Sequence, residues 1–279
     1  MQEVIIEAGR TEKNYWRDLW RYRELFYFLA WRDILVRYKQ TVIGVAWAVV
    51  RPFLTMLILT VIFSRIAKLP VPGAAPYALL VLAALLPWQF FSTSLSESSN
   101  SLIGNANLIS KVYFPRLIVP AGSVITSFVD FLITLTLMAA LMVWYRFLPD
   151  WRVLALPFFM LLAFGAAFGC GLWLCALTVK YRDFRFIVPF IVQFGLYVSP
   201  VGFSSSNVPP KWALLYSLNP MVGIIDGFRW ALLRGEITLK GEIPLHGSTV
   251  LLSCGLVLLL LASGTWYFRR VERTFADVI

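Results

Sequence analysis

The chain predicts an all-α membrane protein with six transmembrane helices, on three observations. Of its 279 residues, 59% are hydrophobic and only 14% charged, with a mean hydropathy of +0.74, whereas soluble domains carry about 25% charged residues. Six apolar runs approach the ~20 residues needed to cross a hydrocarbon core of ~30 Å. The basic residues gather between alternate runs, as membrane topology requires, so the net charge of +10 reads as orientation and not as nucleic-acid binding. Cys170, Cys175 and Cys254 all lie in apolar runs, which gives neither a disulfide framework nor metal-ligand spacing. With a single histidine, His246, a histidine-based metal site or triad is not expected. The first forty residues are aromatic and charged, without the basic, apolar, small-residue order of a cleavable signal peptide.

In the N-terminal segment, residues 1–44, Trp16, Trp20, Tyr27, Trp31, Ile34 and Tyr38 recur at helical spacing. Arg17, Arg21, Glu24, Arg32 and Lys39 fall largely on another face, the composition of an amphipathic helix lying in the interface plane. The six spans then occupy a domain over 45–268. The first, 45–64, holds Arg51, which can snorkel, and Pro52, which kinks a helix. The second, 76–95, carries Trp88, Phe90 and Phe91 toward its end. The third, 117–145, carries Asp130 near its middle. An unpaired carboxylate there costs roughly 2.5–3.5 kcal/mol, so it faces protein or water, as a buried hydrogen bond or as a polar point on a transport path. The fourth, 153–179, includes Gly165–Gly171 (GAAFGCG), small residues suited to close helix packing. The fifth, 186–203, sets Phe186, Phe190, Phe194 and Tyr197 on one stripe with Gln193 beside it; such a stripe serves packing or ligand contact. The sixth, 249–268, ends in Arg269–Arg270 and a short polar tail, 269–279.

Two intervals do not span. Asn100–Pro120 is too polar for hydrocarbon, with Asn100, Asn105, Asn107, Ser110, Lys111 and Arg116. Leu102, Ile103, Ala106, Ile109 and Phe114 still recur at helix-like intervals, which predicts a short amphipathic helix broken at Pro115. Composition by itself favours a solvated loop helix; a grip for a soluble partner is the other reading. The second interval, 204–248, contains two apolar pieces, Trp212–Leu218 and Met221–Leu233, divided by Asn219-Pro220. Pieces of that length suit re-entrant or interfacial helices, and Asp226 and Arg229, three apart, are placed to pair.

One side of this layout collects 17 of the 25 basic residues, the other only Arg65, Lys68, Arg146, Arg152, Lys211, Arg229, Arg234 and Lys240. The richer side is cytoplasmic, which puts both termini and the Asn100–Pro120 connector there. The chain carries no G-x-x-x-x-G-K-[ST] phosphate loop. A connector of coupling type on one face and a re-entrant plug on the other describe a transport subunit worked by a separate motor.

The sequence resembles the membrane subunit of polysaccharide-exporting ABC transporters, the permeases for O-antigen, capsule and teichoic acid. The resemblance is carried by Leu29–Pro52 (LAWRDILVRYKQTVIGVAWAVVRP), Asn100–Pro120, Val179–Pro189 (VKYRDFRFIVP), Leu196–Phe203 (LYVSPVGF) and Leu218–Met221 (LNPM), and covers nearly the whole chain in order. It implies a homodimer in a bacterial cytoplasmic membrane, bound to two copies of a separate ATPase that holds the ATP and Mg, with no cofactor on this chain. It implies a coupling helix within 100–115, through Asn105, Asn107, Leu108, Ile109 and Lys111, with Arg182, Asp183 and Arg185 of the KYRDFR turn approaching the same partner. It implies a lipid-linked polysaccharide as cargo and gate helices within 204–248, where Trp212, Asn219, Pro220, Asp226 and Arg229 stand. Trp88, Phe91, Asp130, Phe190, Gln193, Phe194 and Tyr197 are the candidate channel residues, since sugars lay apolar ring faces on aromatic rings while hydroxyls seek polar partners. Rings at span ends, such as Trp144, Tyr145, Trp266 and Tyr267, serve equally as a membrane belt.

The same architecture serves drug or lipid exporters, which cargo identification separates. A membrane glycosyl or phosphoryl transferase needs grouped acid–base residues, whereas Glu97, Asp130 and Asp226 are scattered. A secondary transporter is expected to show inverted repeats and broken midplane helices, and neither is visible here.

Overall fold

The computed structural model describes residues 15–39, 44–68, 75–233, 247–272 and 275, and among these the regular structure is helical, with no strand. The first fourteen residues and residues 234–246 of the expected gate region, His246 included, lie outside the described residues. The N-terminal helix divides into α1 (Tyr15–Arg21) and α2 (Arg23–Lys39). Next come α3 (Gly44–Thr60), prolonged by a π-helical turn Val61–Ile66, α4 (Tyr77–Gly104), the short α5 (Ala106–Lys111) and α6 (Ile118–Trp144). A 3-10 turn, Trp151–Ala155, leads into α7 (Leu156–Lys180), followed by α8 (Phe184–Val198), α9 (Pro210–Ser217), α10 (Pro220–Leu232) and α11 (Gly247–Val271).

Five of these are long and apolar enough to cross a bilayer: Ala46–Ile66, Tyr77–Gly104, Ile118–Trp144, Trp151–Lys180 and Gly247–Val271. The protein is therefore a multi-pass membrane protein. The expected fifth span is helical only over the 15 residues of α8, which reach about 22 Å at ~1.5 Å per residue. The cause is Pro200, because the residue before a proline is pushed out of the helical region. Ser199 is accordingly extended at φ −88°, ψ 152°.

α4 is the spine, packing on α3, α6, α7, α8 and α10. In its most apolar stretch 83% of residues are buried, against 17% for the first span and α11. It runs 28 residues, about 42 Å, so it outlasts a ~30 Å core and absorbs Asn100–Gly104 as its last turn. The expected amphipathic helix is thereby shortened to α5, six residues.

Two apolar clusters result. The larger joins α4, α6, α7 and α10 around Phe90, Phe131 and Phe228, with ring centroids 6.1 Å apart for Phe90–Phe131 and 6.0 Å for Phe131–Phe228. The smaller sits at the α5 end and gathers Tyr15, Leu29, Leu102, Ile109, Phe114, Leu117, Val179, Phe268 and Phe275. The segment after α11, expected to be a polar tail, thus contributes the fully buried Phe275.

The GAAFGCG segment of α7 packs closely on two sides. A Cβ on Gly169 would lie 2.7 Å from the Leu260 backbone, one on Gly264 would lie 2.4 Å from the Gly169 carbonyl oxygen, and one on Gly171 would meet Ser98 Oγ at 2.8 Å. Small residues let α7 touch α11 and α4 nearly backbone to backbone, and Trp173 stacks on Tyr267 at 4.2 Å beside the α7–α11 contact. Gly264→Val should therefore lose about 1–3 kcal/mol, as overpacked interfaces do, read as a lower unfolding midpoint in detergent. Gly255→Ala on the same helix, where no atom lies within 4 Å, should leave the midpoint unchanged or slightly raised.

Candidate functional site

The two motifs LYVSPVGF and LNPM meet at the Tyr77 end of α4. Asn219 caps α10: its Oδ1 accepts the Met221 N–H at 3.0 Å, and Pro220 takes the first helical position, where no N–H is needed. Its Nδ2 donates to Ser199 Oγ at 3.0 Å. Beyond Ser199 the backbone leaves the helix while still buried, so its carbonyls need donors from elsewhere. Arg229, 2% exposed, supplies them. Its Nη2 donates to the Val201 carbonyl at 3.0 Å, Nη1 to that of Phe203 at 2.9 Å and Nε to that of Leu80 at 3.3 Å. Tyr77 donates its hydroxyl to the Gly202 carbonyl at 2.6 Å. The expected Asp226–Arg229 pair exists at 4.0 Å, but the guanidinium fork is spent on carbonyls, a task for five fixed donors. Trp212 stands exposed on α9, with Lys211 Nζ 5.7 Å from its ring centroid.

At the other end of α4 stands the connector. Asn105 breaks the helix; its Nδ2 donates to the Ser101 carbonyl at 2.9 Å and its Oδ1 accepts from Arg32 of α2 at 2.8 Å. On α5, Ile109 is buried, Leu108 partly so, and Asn107, Ser110 and Lys111 are exposed. Val112 and Tyr113 continue the exposed edge before Phe114 and Pro115 turn back inside. The KYRDFR turn emerges at the same end, because α4 and α7 run parallel, with Ser101 facing Cys175 at 3.8 Å. Arg182, Asp183 and Arg185 are all exposed there. The structure thus brings the predicted coupling residues of two separate motifs to one end of the bundle.

Asp130 is engaged with the N-terminal helix. Arg37 reaches it at 2.7 Å and Glu97 at 2.5 Å, and the Tyr38 hydroxyl donates to its other oxygen. The cation that an intramembrane carboxylate demands comes from α2, which packs along the first half of α6. Of the two roles open for Asp130, this geometry provides the hydrogen-bonded one. Burial and the Asp130 carboxylate raise the Tyr38 phenol above its ordinary pKa.

The aromatic candidates separate into two groups. Phe190, Gln193, Phe194 and Tyr197 are exposed on α8, and the Phe190 and Phe194 rings lie 4.2 Å apart. Trp88 instead is buried under α8, where a Cβ on Gly195 would stand 2.6 Å from its ring, and half-buried Phe91 tilts against it at 5.8 Å. A groove of about 520 Å³ between α6 and α7, lined by Phe128, Phe131, Met160 and Phe164 among others, holds none of the predicted site residues. Tyr15, Arg32, Arg37, Tyr38, Tyr77 and Glu272 were given no site role by sequence reasoning. For Arg37 and Tyr38 the signal was Asp130 itself, a lone carboxylate seeking donors.

These elements define a helical multi-pass membrane protein with a projecting polar connector at one end and two short helices, the exposed α9 and the buried α10, at the other. Residues 24–233 match the ABC-2 type transporter family, and the chain belongs to it. Among its relatives, the O-antigen export system permease protein RfbA of Myxococcus xanthus is 29% identical over 265 residues, covering 94% of this chain and 98% of that protein. RfbA of Klebsiella pneumoniae is 26% identical over 249 residues, covering 89% and 92%. The polysialic acid transport protein KpsM of Escherichia coli is 23% identical over 214 residues, covering 74% and 80%.

Arg229→Leu strands the Val201 and Phe203 carbonyls, which lie outside any helix, at ~1–3 kcal/mol for each unsatisfied group. It should abolish stable insertion or lower the unfolding midpoint far more than Arg185→Leu on the exposed turn, measured side by side in detergent.

Proposed function

We propose that this chain forms the channel of an ABC exporter that carries a lipid-linked polysaccharide, of O-antigen, capsule or teichoic-acid type, across the cytoplasmic membrane. The observation that carries the reading is the exposed edge of α5, Asn107, Ser110 and Lys111, standing at the same bundle end as Arg182, Asp183 and Arg185 in a chain of the ABC-2 family. Family membership supports a partner ATPase, and the connector is the surface on which it would dock, facing the cytoplasm with both termini. The relatives' names supply the cargo class: two are O-antigen export permeases and one transports polysialic acid.

The channel forms between two copies of the subunit. α8 leaves Phe186, Phe190, Phe194 and Tyr197 exposed, a surface of flat rings over which a polymer slides through many weak contacts. Closure of the ATPase around ATP pushes α5, and the spans rock between two arrangements that nucleotide binding distinguishes in free energy. The segments α9 and α10, tied to the α8 turn through Asn219 and Arg229, form the gate at the outer face. α1, which exposes Trp16 and Trp20, meets the inner membrane surface, and α2 continues from it alongside α6 to Asp130.

Asn107→Ala combined with Lys111→Glu should leave the chain inserted while surface polysaccharide falls about 5- to 150-fold, the range of ~1–3 kcal/mol couplings; unimpaired export refutes the coupling role. Phe190→Ala with Phe194→Ala should reduce export while the ATPase still co-purifies, and full export would remove α8 from the path.

A further inference from the structure

The segment beyond α11 is built into the connector. Arg116 lies in the turn between α5 and α6, one residue ahead of the α6 N-cap Leu117, so its N–H has no acceptor within that helix. Glu272 takes it: Oε1 accepts the Arg116 N–H at 2.8 Å. The other oxygen, Oε2, accepts the Tyr15 hydroxyl of α1 at 3.1 Å. The guanidinium of Arg116 donates in turn to the Glu272 main-chain carbonyl. One carboxylate from beyond α11 therefore holds the turn that opens α6, where its negative charge also suits the N-terminal end of the helix dipole. Two ring contacts close the joint. Arg269 stands 4.5 Å from the Tyr15 ring centroid, and Phe275 packs on Phe268 at 5.4 Å beneath Arg116.

This junction bears on how a push is transmitted. α5 is six residues long with one buried side chain, Ile109, too short to hold its own geometry. Its displacement leaves by its flanks, Asn105 into α4 and Arg116 into α6. With Glu272 fastened to the Arg116 backbone, the second flank is also fastened to α11 and α1. We infer that Glu272 is a positioning residue that makes the connector, the end of α11 and the start of α1 move as one body, so that a push on α5 reaches α11 directly. This rests on the coupling reading of α5 given above.

The test uses the complete transporter with its co-purified ATPase and reads distances between spin labels with and without ATP. One pair joins Val112, exposed just past α5, to Trp266 on α11; the other joins Val112 to Leu215 at the far end of the bundle. In the native background, ATP should change the Val112–Leu215 distance and leave Val112–Trp266 constant. In Glu272→Leu, which removes both oxygens that hold Arg116 and Tyr15, Val112–Trp266 should change or broaden on ATP addition, while Tyr15→Phe, which keeps the Arg116 contacts, should hold it constant. A Val112–Trp266 distance that shifts with ATP in the native background overturns the inference, even if Glu272→Leu does not assemble. A constant distance in an assembled Glu272→Leu complex overturns it as well, since the carboxylate would then add stability alone. If neither distance responds to ATP in the native chain, the coupling reading itself fails and takes this inference with it. Failure of the first two kinds leaves the coupling reading standing.

Discussion

Buried backbone that leaves a helix inside this bundle must find its hydrogen-bond donors within the protein, because hydrocarbon offers none and each unmet group costs several kcal/mol. That constraint explains Arg229. Pro200 ends α8 early, and the carbonyls of Val201, Gly202 and Phe203 are then satisfied by one guanidinium and one phenol. The same arginine reaches Leu80 on the spine, so the turn, α10 and α4 are fixed to one another at a single point. With Asn219 capping its start, α10 can be short and still buried along nearly its whole length. The irregular backbone and the short helices are thus one arrangement, and neither is stable in an apolar setting without the other.

The connector end is held by different chemistry. Arg37 pairs with Glu97 and Arg32 donates to Asn105 in partly exposed contacts; an exposed ion pair of that kind contributes about 0–1 kcal/mol and weakens with salt. Beneath them lies the smaller apolar cluster, assembled from segments far apart in sequence. One end of the molecule is therefore pinned through neutral carbonyls in a dry setting, and the other by exchangeable charge contacts over a small core. Looser contacts at the connector, and rigidity where backbone lies bare, follow from where water is present.

Much of the architecture was legible because hydrophobic runs report burial in lipid directly. The third and sixth spans agree with α6 and α11 to within three residues at either end, and Gly165–Gly171 announced the close packing that α7 makes. Boundaries failed where local chemistry ended a helix without changing polarity, as Pro200 cut α8 short, and where a helix outlasted its apolar run, as α4, expected to span 76–95, continued through its serines to Gly104. Of the candidate site residues, Asn105, Arg229 and Asp130 were visible as polar groups in odd places, but their partners were not. Arg32, Arg37 and Leu80 lie tens of residues away or more, and no spacing rule links a carbonyl at Val201 to an arginine at 229. Trp88 read as a channel ring because an aromatic on a span looks alike from either side. Only the absence of a side chain at Gly195 showed which surface covers it.

The contact between Gly169 and Gly264 also orders the birth of the molecule. α7 leaves the ribosome long before α11, so the trough that Gly169 opens along its flank stays unfilled through most of synthesis. Only when α11 settles into that trough do Phe275 and Glu272 arrive beside Arg116 and Tyr15. The hold on Arg116 therefore depends on how closely α11 seats against α7.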